Sequence, residues 1–423
     1  MPPLTSNQIR GFWASWAGWT LDGMDSFIYA LVLVPALRDL LPRSGIAASQ
    51  SNIGFYGGVL FAIFLTGWGS AFLWGPIADR FGRVRTLILT ILCYSLFTFL
   101  GCAAATVWQL ALFRFLAGAG IGGEWTLGGV FVAEEWPESR RVQGAAWMHT
   151  GYYVGTFLAA LVNYWIGARY GWRAVFAVGG TPALLVAFIR YGVVEPKRWQ
   201  HRLRQLDRRW TARDAFFALF SPEYRRRTVV NAALLFISMV GLWAGSAYVP
   251  SSVTFLAARE GLATDAAARM ASFATMLLST GTILGCLLLP LVADRIGRRL
   301  SLALYFLLMF ACISLGFGFL FYLPGALPLF LACLFFLGVG GANFAVYTLW
   351  LPEQYRTECR GSAFAFATSF GRFIAAGVTF LVGAGVSRMH TIGTPVALTS
   401  IAFLAGLALL PAAAETRGKE LPA

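Results

Sequence analysis

The sequence predicts an all-α membrane protein with twelve transmembrane helices. Of the 423 residues, 58% are hydrophobic and 12% are charged, whereas soluble domains carry about 25% charged residues. Apolar runs of about 20 residues, the length with which a helix crosses the hydrocarbon layer, recur along the chain. This composition argues against a soluble protein. Because the basic residues form short clusters between apolar runs, the net charge of +14 does not indicate nucleic-acid binding.

The apolar runs fall into two groups of six, separated by a long polar segment. They cover residues 12–36, 53–77, 86–105, 108–133, 143–166, 172–194, 228–257, 268–292, 300–323, 326–350, 361–386 and 394–412. The polar segment, 195–227, divides the chain into a first half, 1–194, and a second half, 228–423. We interpret this basic segment chiefly as an interfacial linker.

Positive charges in the loops predict the orientation. Most Lys and Arg residues fall on the side that also holds both termini and the 195–227 linker. Positively charged loops remain in the cytoplasm, so we expect cytoplasmic termini. We expect the protein to be integral to the plasma membrane, which in a bacterium is the inner membrane. Its outer helix faces would then contact lipid.

The two halves repeat one another. The stretch GPIADRFGRVR (75–85) is echoed by PLVADRIGRR (290–299), and GIGGEWTLGGVFVAEEWPESRRVQG (120–144) by VGGANFAVYTLWLPEQYRTECRG (339–361). Two pairs of motifs at nearly equal offsets indicate a duplication.

The repeated loop resembles the signature of the major facilitator superfamily. The resemblance implies two pseudo-symmetric six-helix bundles around a central cavity that opens alternately to either side. It also implies a gating role for the loop residues, in which two aspartates help to hold the outward-facing state; a purely structural turn is the alternative. The second copy has Pro290 where the first has Gly75. The expected gating residues are Gly75, Asp79, Arg80, Gly82, Arg83, Asp294, Arg295, Gly297 and Arg298.

Five charged residues lie inside predicted spans: Asp22, Asp25, Arg114, Glu124 and Arg372. A charge at bilayer depth costs several kcal/mol unless it faces a partner or a water-filled path. An inert ion pair explains two such residues but not five. We therefore predict that the three acids exchange protons and that Arg114 tunes them.

Helical geometry suggests which of these charges meet. Asp22 and Asp25 are three residues apart, so they share one face of the first helix. Asp25 and Arg114 reach a similar depth, which makes Asp25 the expected partner and Asp22 the freer carboxylate. Glu124 lies roughly 15 Å further along the helix from Arg114, nearer the cytoplasm. Its counterpart in the repeat is Asn343, so the acid is confined to the first half.

Arg372 lies about 16 Å into the eleventh span, and no acid has a comparable depth in the second half. A guanidinium group binds a carboxylate through two parallel hydrogen bonds, so we predict that Arg372 anchors an anionic substrate. Binding of Arg372 to backbone carbonyls or to Asp22 is the alternative. The other predicted substrate-binding residues are Asn343, Tyr347, Trp125, Tyr152 and Trp243. Further cavity candidates are Trp16, Trp19, Trp68, Trp147, Tyr248 and His149.

Three short motifs resemble those of metabolite:proton symporters for sialate, lactate and related organic acids. They are D-G-x-D at 22–25, G-G-E-W at 122–125 and AEEWPESRR at 133–141. This resemblance implies a functional monomer that takes up a small organic anion with protons. The alternatives are a sugar or neutral-solute symporter, a drug:proton antiporter and, more remotely, a receptor without transport.

No enzyme, metal site or cofactor is expected. The six cysteines contain no CxxC pair, and the three histidines are scattered. No nucleophile–base arrangement and no nucleotide-binding loop is present, so the cysteines are interpreted as small buried residues.

Overall fold

A computed structural model describes residues 4–181, 192–197, 199–201, 211–246 and 248–422. This described part contains helices and no β-strand. The helices of the first half are α1 (Ser6–Arg43), α2 (Gln50–Gly69), α3 (Trp74–Phe81), α4 (Arg83–Gly101), α5 (Val107–Glu135), α6 (Arg141–Val162) and α7 (Ala168–Val178).

The described part of the linker includes a short helix, and the helices of the second half follow it. These helices are α8 (Ala212–Ala218), α9 (Arg225–Ser246), α10 (Val249–Arg259), α11 (Thr264–Ile296), α12 (Arg298–Gly318), α13 (Leu327–Gly341), α14 (Asn343–Trp350), α15 (Arg360–Met389), α16 (Gly393–Leu398) and α17 (Ile401–Leu409).

Where the structure describes the predicted apolar runs they are mostly helical, but several runs are divided. The run 228–257 comprises α9 and α10, and the first turn of α10 contains Pro250, which lacks an N–H group and therefore suits that position. The run 326–350 is divided at Ala342 between α13 and α14. Residues 182–191 of the run 172–194 lie outside the described residues.

Seven stretches of the described residues are long and apolar enough, by length and composition, to cross a membrane. They are Phe55–Phe81, Arg83–Gly101, Val107–Glu135, Arg269–Ile296, Arg298–Tyr322, Leu327–Gln354 and Gly393–Ala412.

Helix α1 is held in the first half by close contact with α6. A Cβ atom added to Gly155 would lie 1.8 Å from the carbonyl oxygen of Thr20, and one added to Gly23 would lie 2.1 Å from that of Tyr152. Backbones approach this closely only where side chains are absent. The contact directs the acidic face of α1 into the protein.

Helix α15 connects the two halves. It packs on α9 in its own half and on α2, α3 and α5 of the first half. A Cβ atom on Gly75 would lie 2.6 Å from the carbonyl oxygen of Gly361 and 2.7 Å from Cα of Ser362. The glycine of the first signature loop therefore permits α3 to lie directly against the start of α15.

The two signature loops end in equivalent turns. Gly82 (φ +116°) and Gly297 (φ +87°) adopt conformations that L side chains rarely adopt, immediately before α4 and α12. Glu195 accepts hydrogen bonds from the first amides of α4, and Glu415 from the first amides of α12. A carboxylate at a helix N-terminus satisfies free amides and complements the helix dipole.

The two capping carboxylates differ electrostatically. Burial raises the pKa of Glu195, and the hydrogen bonds from the amides only partly oppose this effect. Burial also raises the pKa of Glu415, but bonds from four backbone amides outweigh burial and hold the pKa below its usual range. The cap of α12 therefore stays ionised to lower pH than the cap of α4.

The contact between α1 and α6 predicts that Gly155→Ala lowers the free energy of unfolding by about 1–3 kcal/mol, because the added methyl group forces the helices apart. The measurement is thermal unfolding of the detergent-solubilised protein. Gly377→Ala is the matched control, since no atom lies within 4 Å of the added Cβ. Alanine at that helical position leaves stability unchanged or slightly higher. Equal stability of both variants would contradict the packing argument.

Candidate functional site

A cavity of about 30 Å³ lies between helices of both halves. The first half contributes α1, α2, α5 and α6, and the second half contributes α9, α14 and α15. A volume of this size has room for one or two water molecules, so a larger ligand requires the walls to separate. The lining residues are Trp19, Trp68, Trp125, His149, Tyr152, Tyr153, Met239, Phe344 and Arg372.

Aromatic rings form most of the cavity wall. The rings of Trp19 and Trp125 are stacked, with centroids 5.6 Å apart and planes 20° apart. Tyr152 lies 4.7 Å from Trp19, and His149 lies 5.4 Å from Trp125. Such walls suit a flat, unsaturated molecule, because ring faces contact it over a large apolar area.

Arg372 is the cationic group of this cavity. Its side chain is buried, and its Cζ atom lies 4.4 Å from the ring centroid of Trp68 and 5.8 Å from that of Trp125. Two of its nitrogen atoms, Nε and Nη1, have no hydrogen-bond partner among the described residues. Asp22 is near enough to interact with it electrostatically. Arg372 therefore retains donors for a ligand.

Asp25 and Arg114 form an ion pair inside the first half, as their predicted depths suggested. The distance from Arg114 Nη1 to Asp25 Oδ2 is 3.3 Å, and both side chains are buried. The guanidinium group also lies 4.7 Å from the ring centroid of Tyr29 and 4.3 Å from that of Phe64. The cation thus contacts one carboxylate and two ring faces, while its Nε and Nη2 atoms have no hydrogen-bond partner among the described residues.

Asp22 and Glu124 are matched less completely. Asp22 is fully buried, and neither of its oxygens has a hydrogen-bond partner in the described part of the chain. Glu124 accepts a hydrogen bond of 2.9 Å from Thr90 of α4, while its other oxygen has no partner among the residues that the structure describes. Gly18 makes room for Glu124, since a Cβ atom there would lie 2.3 Å from Oε2. These two carboxyl groups can therefore change partners.

Helix α4 supplies two polar groups near these acids that the sequence reasoning missed. Thr90 binds Glu124, and the buried hydroxyl group of Tyr94, unpartnered in the described structure, interacts electrostatically with Asp22 and Glu124. Their signal in the sequence was a hydroxyl group in each of two successive turns of an otherwise apolar run.

A hydrogen-bonded link joins the two halves beside the cavity. The Nε1–H group of Trp125 donates to Oγ1 of Thr348 at 2.7 Å, and the same oxygen lies 3.2 Å from Nδ1 of His149. Thr348 belongs to α14 and the other two residues belong to α5 and α6. The sequence reasoning missed Thr348, because a lone threonine in an apolar run carries no distinctive signal.

Three of the six predicted substrate-binding residues line the cavity: Arg372, Trp125 and Tyr152. Trp19 and Trp68, which were cavity candidates, line it as well. Trp19 precedes Asp22 by one helical turn, so the acidic face of α1 also carries this ring.

The other three predicted residues are placed differently. Asn343 begins α14 and donates to the carbonyl group of Gly340, so the break after α13 uses its amide. The hydroxyl group of Tyr347 lies 3.0 Å from that of Ser238, because this face of α14 is directed towards α9. Neither residue lines the cavity. The side chain of Trp243 lies outside the described residues.

In the first signature loop, Asp79 binds across the two halves. Its carboxylate accepts hydrogen bonds from the amides of Gly361 at 3.1 Å and Ser362 at 2.8 Å. Arg83 pairs with the same carboxylate at 2.8 Å. The close approach at Gly75 brings Asp79 to the first amides of α15, where a helix favours negative charge. Arg80 is half-buried beside it.

The second loop does not make the equivalent contact. The side chain of Asp294 is 62% exposed, and its recorded ion pair in the described residues is with Arg298 at 3.9 Å. Pro290 occupies the position of Gly75, and Arg295 is exposed. A proline ring at this position hinders the backbone approach that Gly75 permits.

Two buried glutamates tie the halves together at this end. Glu134 binds Arg83 at 3.0 Å in its own half and Arg360 at 2.8 Å in the other. Glu353 binds Arg298 at 2.8 Å and Arg141, across the halves, at 3.2 Å.

The family model for the Major Facilitator Superfamily matches residues 16–379. The chain is 30% identical to a probable 4-methylmuconolactone transporter of Cupriavidus pinatubonensis, over 97% of this chain and 91% of that protein. It is 24% identical to a putative niacin/nicotinamide transporter, NiaP, of Bacillus subtilis, over 99% and 98% of the two chains.

Among solved structures, the chain resembles the proton:xylose symporter XylE bound to 6-bromo-6-deoxy-D-glucose. The TM-score is 0.78 over 98% of both chains, with 19% identity. At this identity the likeness concerns the fold alone.

The buried pair predicts that Arg114→Gln lowers the free energy of unfolding by about 3–5 kcal/mol, because it leaves Asp25 charged and unpaired. The double variant Asp25→Asn/Arg114→Gln loses less, since no charge is then stranded. Thermal unfolding of the purified protein measures both. The control is Arg43, an exposed residue that pairs with Asp39 at 2.9 Å; Arg43→Gln costs at most about 1 kcal/mol. A double variant less stable than either single variant would contradict this account.

Proposed function

We propose that this chain, which belongs to the Major Facilitator Superfamily, imports a small organic anion together with protons. Members of this family are transporters and not enzymes. The chain is a multi-pass protein of the bacterial inner membrane. The observation that carries the proposal is Arg372, a buried cation with unpartnered donors in an aromatic cavity.

The polar groups of the cavity favour an anion. Nε and Nη1 of Arg372 and Nε1 of Trp19 are buried donors without partners among the described residues. Donors that lack partners lose free energy unless a ligand supplies acceptors. A carboxylate supplies two acceptor oxygens and matches the guanidinium fork. The aromatic walls favour a planar acid over a sugar, which needs many donors and acceptors.

The names of relatives support the same class of substrate. Two of them are called transporters of 4-methylmuconolactone and of niacin or nicotinamide. We infer that the substrate of this chain is a small carboxylate whose remaining atoms are flat and largely apolar.

Asp22, Asp25 and Glu124 are the proposed proton-exchange groups. Arg114 forms an ion pair with Asp25, whereas Asp22 receives no hydrogen bond from the described residues. A buried carboxylate without donors is unfavourable as an ion, so movement of its surroundings drives proton exchange. Asp22 faces both the first-half acids and Arg372, which makes it the main candidate.

The proposed topology has twelve spans in two six-helix bundles, 1–194 and 228–423, joined by a cytoplasmic linker at 195–227. Both termini are cytoplasmic, and the functional unit is a monomer. The signature loops then lie at the cytoplasmic end, where Asp79, Glu134 and Glu353 bridge the halves. We interpret the structure as a state that is closed towards the cytoplasm.

Transport tests the proposal directly. In proteoliposomes that contain the protein, we expect uptake of benzoate, 4-hydroxybenzoate, muconate or nicotinate, driven by an inward proton gradient. Arg372→Gln lowers uptake more than tenfold, because the carboxylate loses its charged anchor. Radiolabelled substrate measures the initial rate.

The control is Arg388→Gln, which removes an exposed arginine from the same helix and leaves uptake unchanged. Undiminished uptake by Arg372→Gln would refute the anchor. Uptake that is independent of the gradient would refute proton coupling.

The gate predicts unequal effects of its two aspartates. Asp79→Asn lowers the rate of uptake at least fivefold, because the charged cap on α15 is lost. Asp294→Asn changes it less than twofold, since that side chain is largely exposed. Gly75→Ala acts in the same direction as Asp79→Asn, because its Cβ atom pushes α3 away from α15.

Distances between spin labels on the exposed positions Arg85 and Arg356 report how far this end is open. We expect longer distances in Asp79→Asn and wild-type distances in Asp294→Asn. Equal effects of the two substitutions would contradict an asymmetric gate.

A further inference from the structure

We propose that Thr348 fixes His149 as a hydrogen-bond donor towards the cavity. The site would then select organic anions that carry an uncharged hydrogen-bond acceptor in addition to the carboxylate. This inference rests on the proposed function, in which Arg372 binds the carboxylate. It adds a second recognition point and assigns to Thr348 the role of positioning residue.

The direction of the hydrogen bonds follows from the atoms involved. The indole Nε1–H group of Trp125 can only donate, so Thr348 Oγ1 accepts this bond of 2.7 Å. The hydroxyl proton of Thr348 can be donated to Nδ1 of His149 at 3.2 Å or to the carbonyl group of Phe344 at 3.4 Å. The shorter contact is the one with His149.

When Nδ1 accepts this bond, the neutral imidazole ring carries its proton on Nε2. His149 is buried, and its ring neighbours are Trp19, Trp125, Tyr153 and Phe344. No counter-ion is among these neighbours, so the surroundings favour the neutral ring. The Nε2–H group is the polar group that His149 can offer to a molecule in the cavity.

Arg372 and His149 border the same tryptophan. The Cζ atom of Arg372 lies 5.8 Å from the ring centroid of Trp125, and the centroid of His149 lies 5.4 Å from it. A flat anion along this ring can therefore contact both groups. Its carboxylate faces Arg372, and an ether, carbonyl or ring-nitrogen acceptor faces Nε2–H.

The donor depends on contact between the two halves. Thr348 comes from the second half, and Gly129 of the first half lies directly against it, since a Cβ atom on Gly129 would lie 3.2 Å from Cγ2 of Thr348. The absent side chain gives Thr348 room to reach His149. The second recognition point is therefore complete when the halves are closed around this level.

Two ligands of equal size test the inference. The ligands 4-methoxybenzoate and 4-ethylbenzoate differ by an ether oxygen in place of a methylene group. We expect the full-length wild-type protein in detergent to bind 4-methoxybenzoate roughly three- to tenfold more tightly than 4-ethylbenzoate. This ratio corresponds to the net free energy of one hydrogen bond. Isothermal titration calorimetry measures both affinities.

Variants assign the effect to the proposed atoms. His149→Phe keeps a flat ring and abolishes the preference for 4-methoxybenzoate. Thr348→Val keeps the shape, removes the hydroxyl group and reduces the preference, whereas Thr348→Ser retains it. Thermal unfolding verifies that each variant is folded. A merely structural role of Thr348 would weaken both ligands equally.

The possible results are distinct. Equal binding of both ligands by the wild type, or a preference that survives His149→Phe, overturns this inference and leaves the proposed function standing. Arg372→Gln should weaken both ligands by the same factor. Failure of the wild type to bind either benzoate counts against both the inference and the proposed function.

Discussion

A charge buried away from water requires an opposite charge, hydrogen-bond donors or acceptors, or a ligand, and this constraint organises the whole structure. Asp25 meets it through Arg114. Asp22 and Arg372 meet it only in part, because both oxygens of Asp22 and two nitrogens of Arg372 lack hydrogen-bond partners among the described residues, although the two side chains interact electrostatically. Arg372 lines the cavity, and Asp22 lies one helical turn from Trp19 in its wall, so under the proposed function an anion and protons complete them. Function is thus expected where the electrostatic matching is incomplete.

At the end of the protein that carries the signature loops, by contrast, the buried carboxylates have charged partners. Glu134 and Glu353 each bind two arginines, one in each half, and Asp79 is bound by an arginine and by helix amides. These groups stabilise one arrangement of the halves. A transporter must break them in each cycle, so their combined strength sets the cost of opening towards that side.

The sequence predicts contacts that depend on helix geometry alone better than contacts that depend on packing. The pairing of Asp25 with Arg114 was predictable, because rise per residue places both at one depth. The cavity lining was predicted only in part. Asn343 and Tyr347 do not line the cavity, because Asn343 donates to Gly340 at the break after α13 and Tyr347 contacts Ser238 of α9, and no sequence pattern indicates this break. Thr348 reaches the first half beside Gly129, whose missing side chain leaves room for it, and this proximity is visible in three dimensions only.

The small volume of the cavity also limits the leakage of water and ions across the membrane. With room for one or two waters, this space cannot contain a continuous column of water at its level. The rings of Trp19, Trp125 and Phe344 occupy the path instead. In this arrangement the protein does not conduct ions at that level, so it leaves ion gradients across the membrane intact.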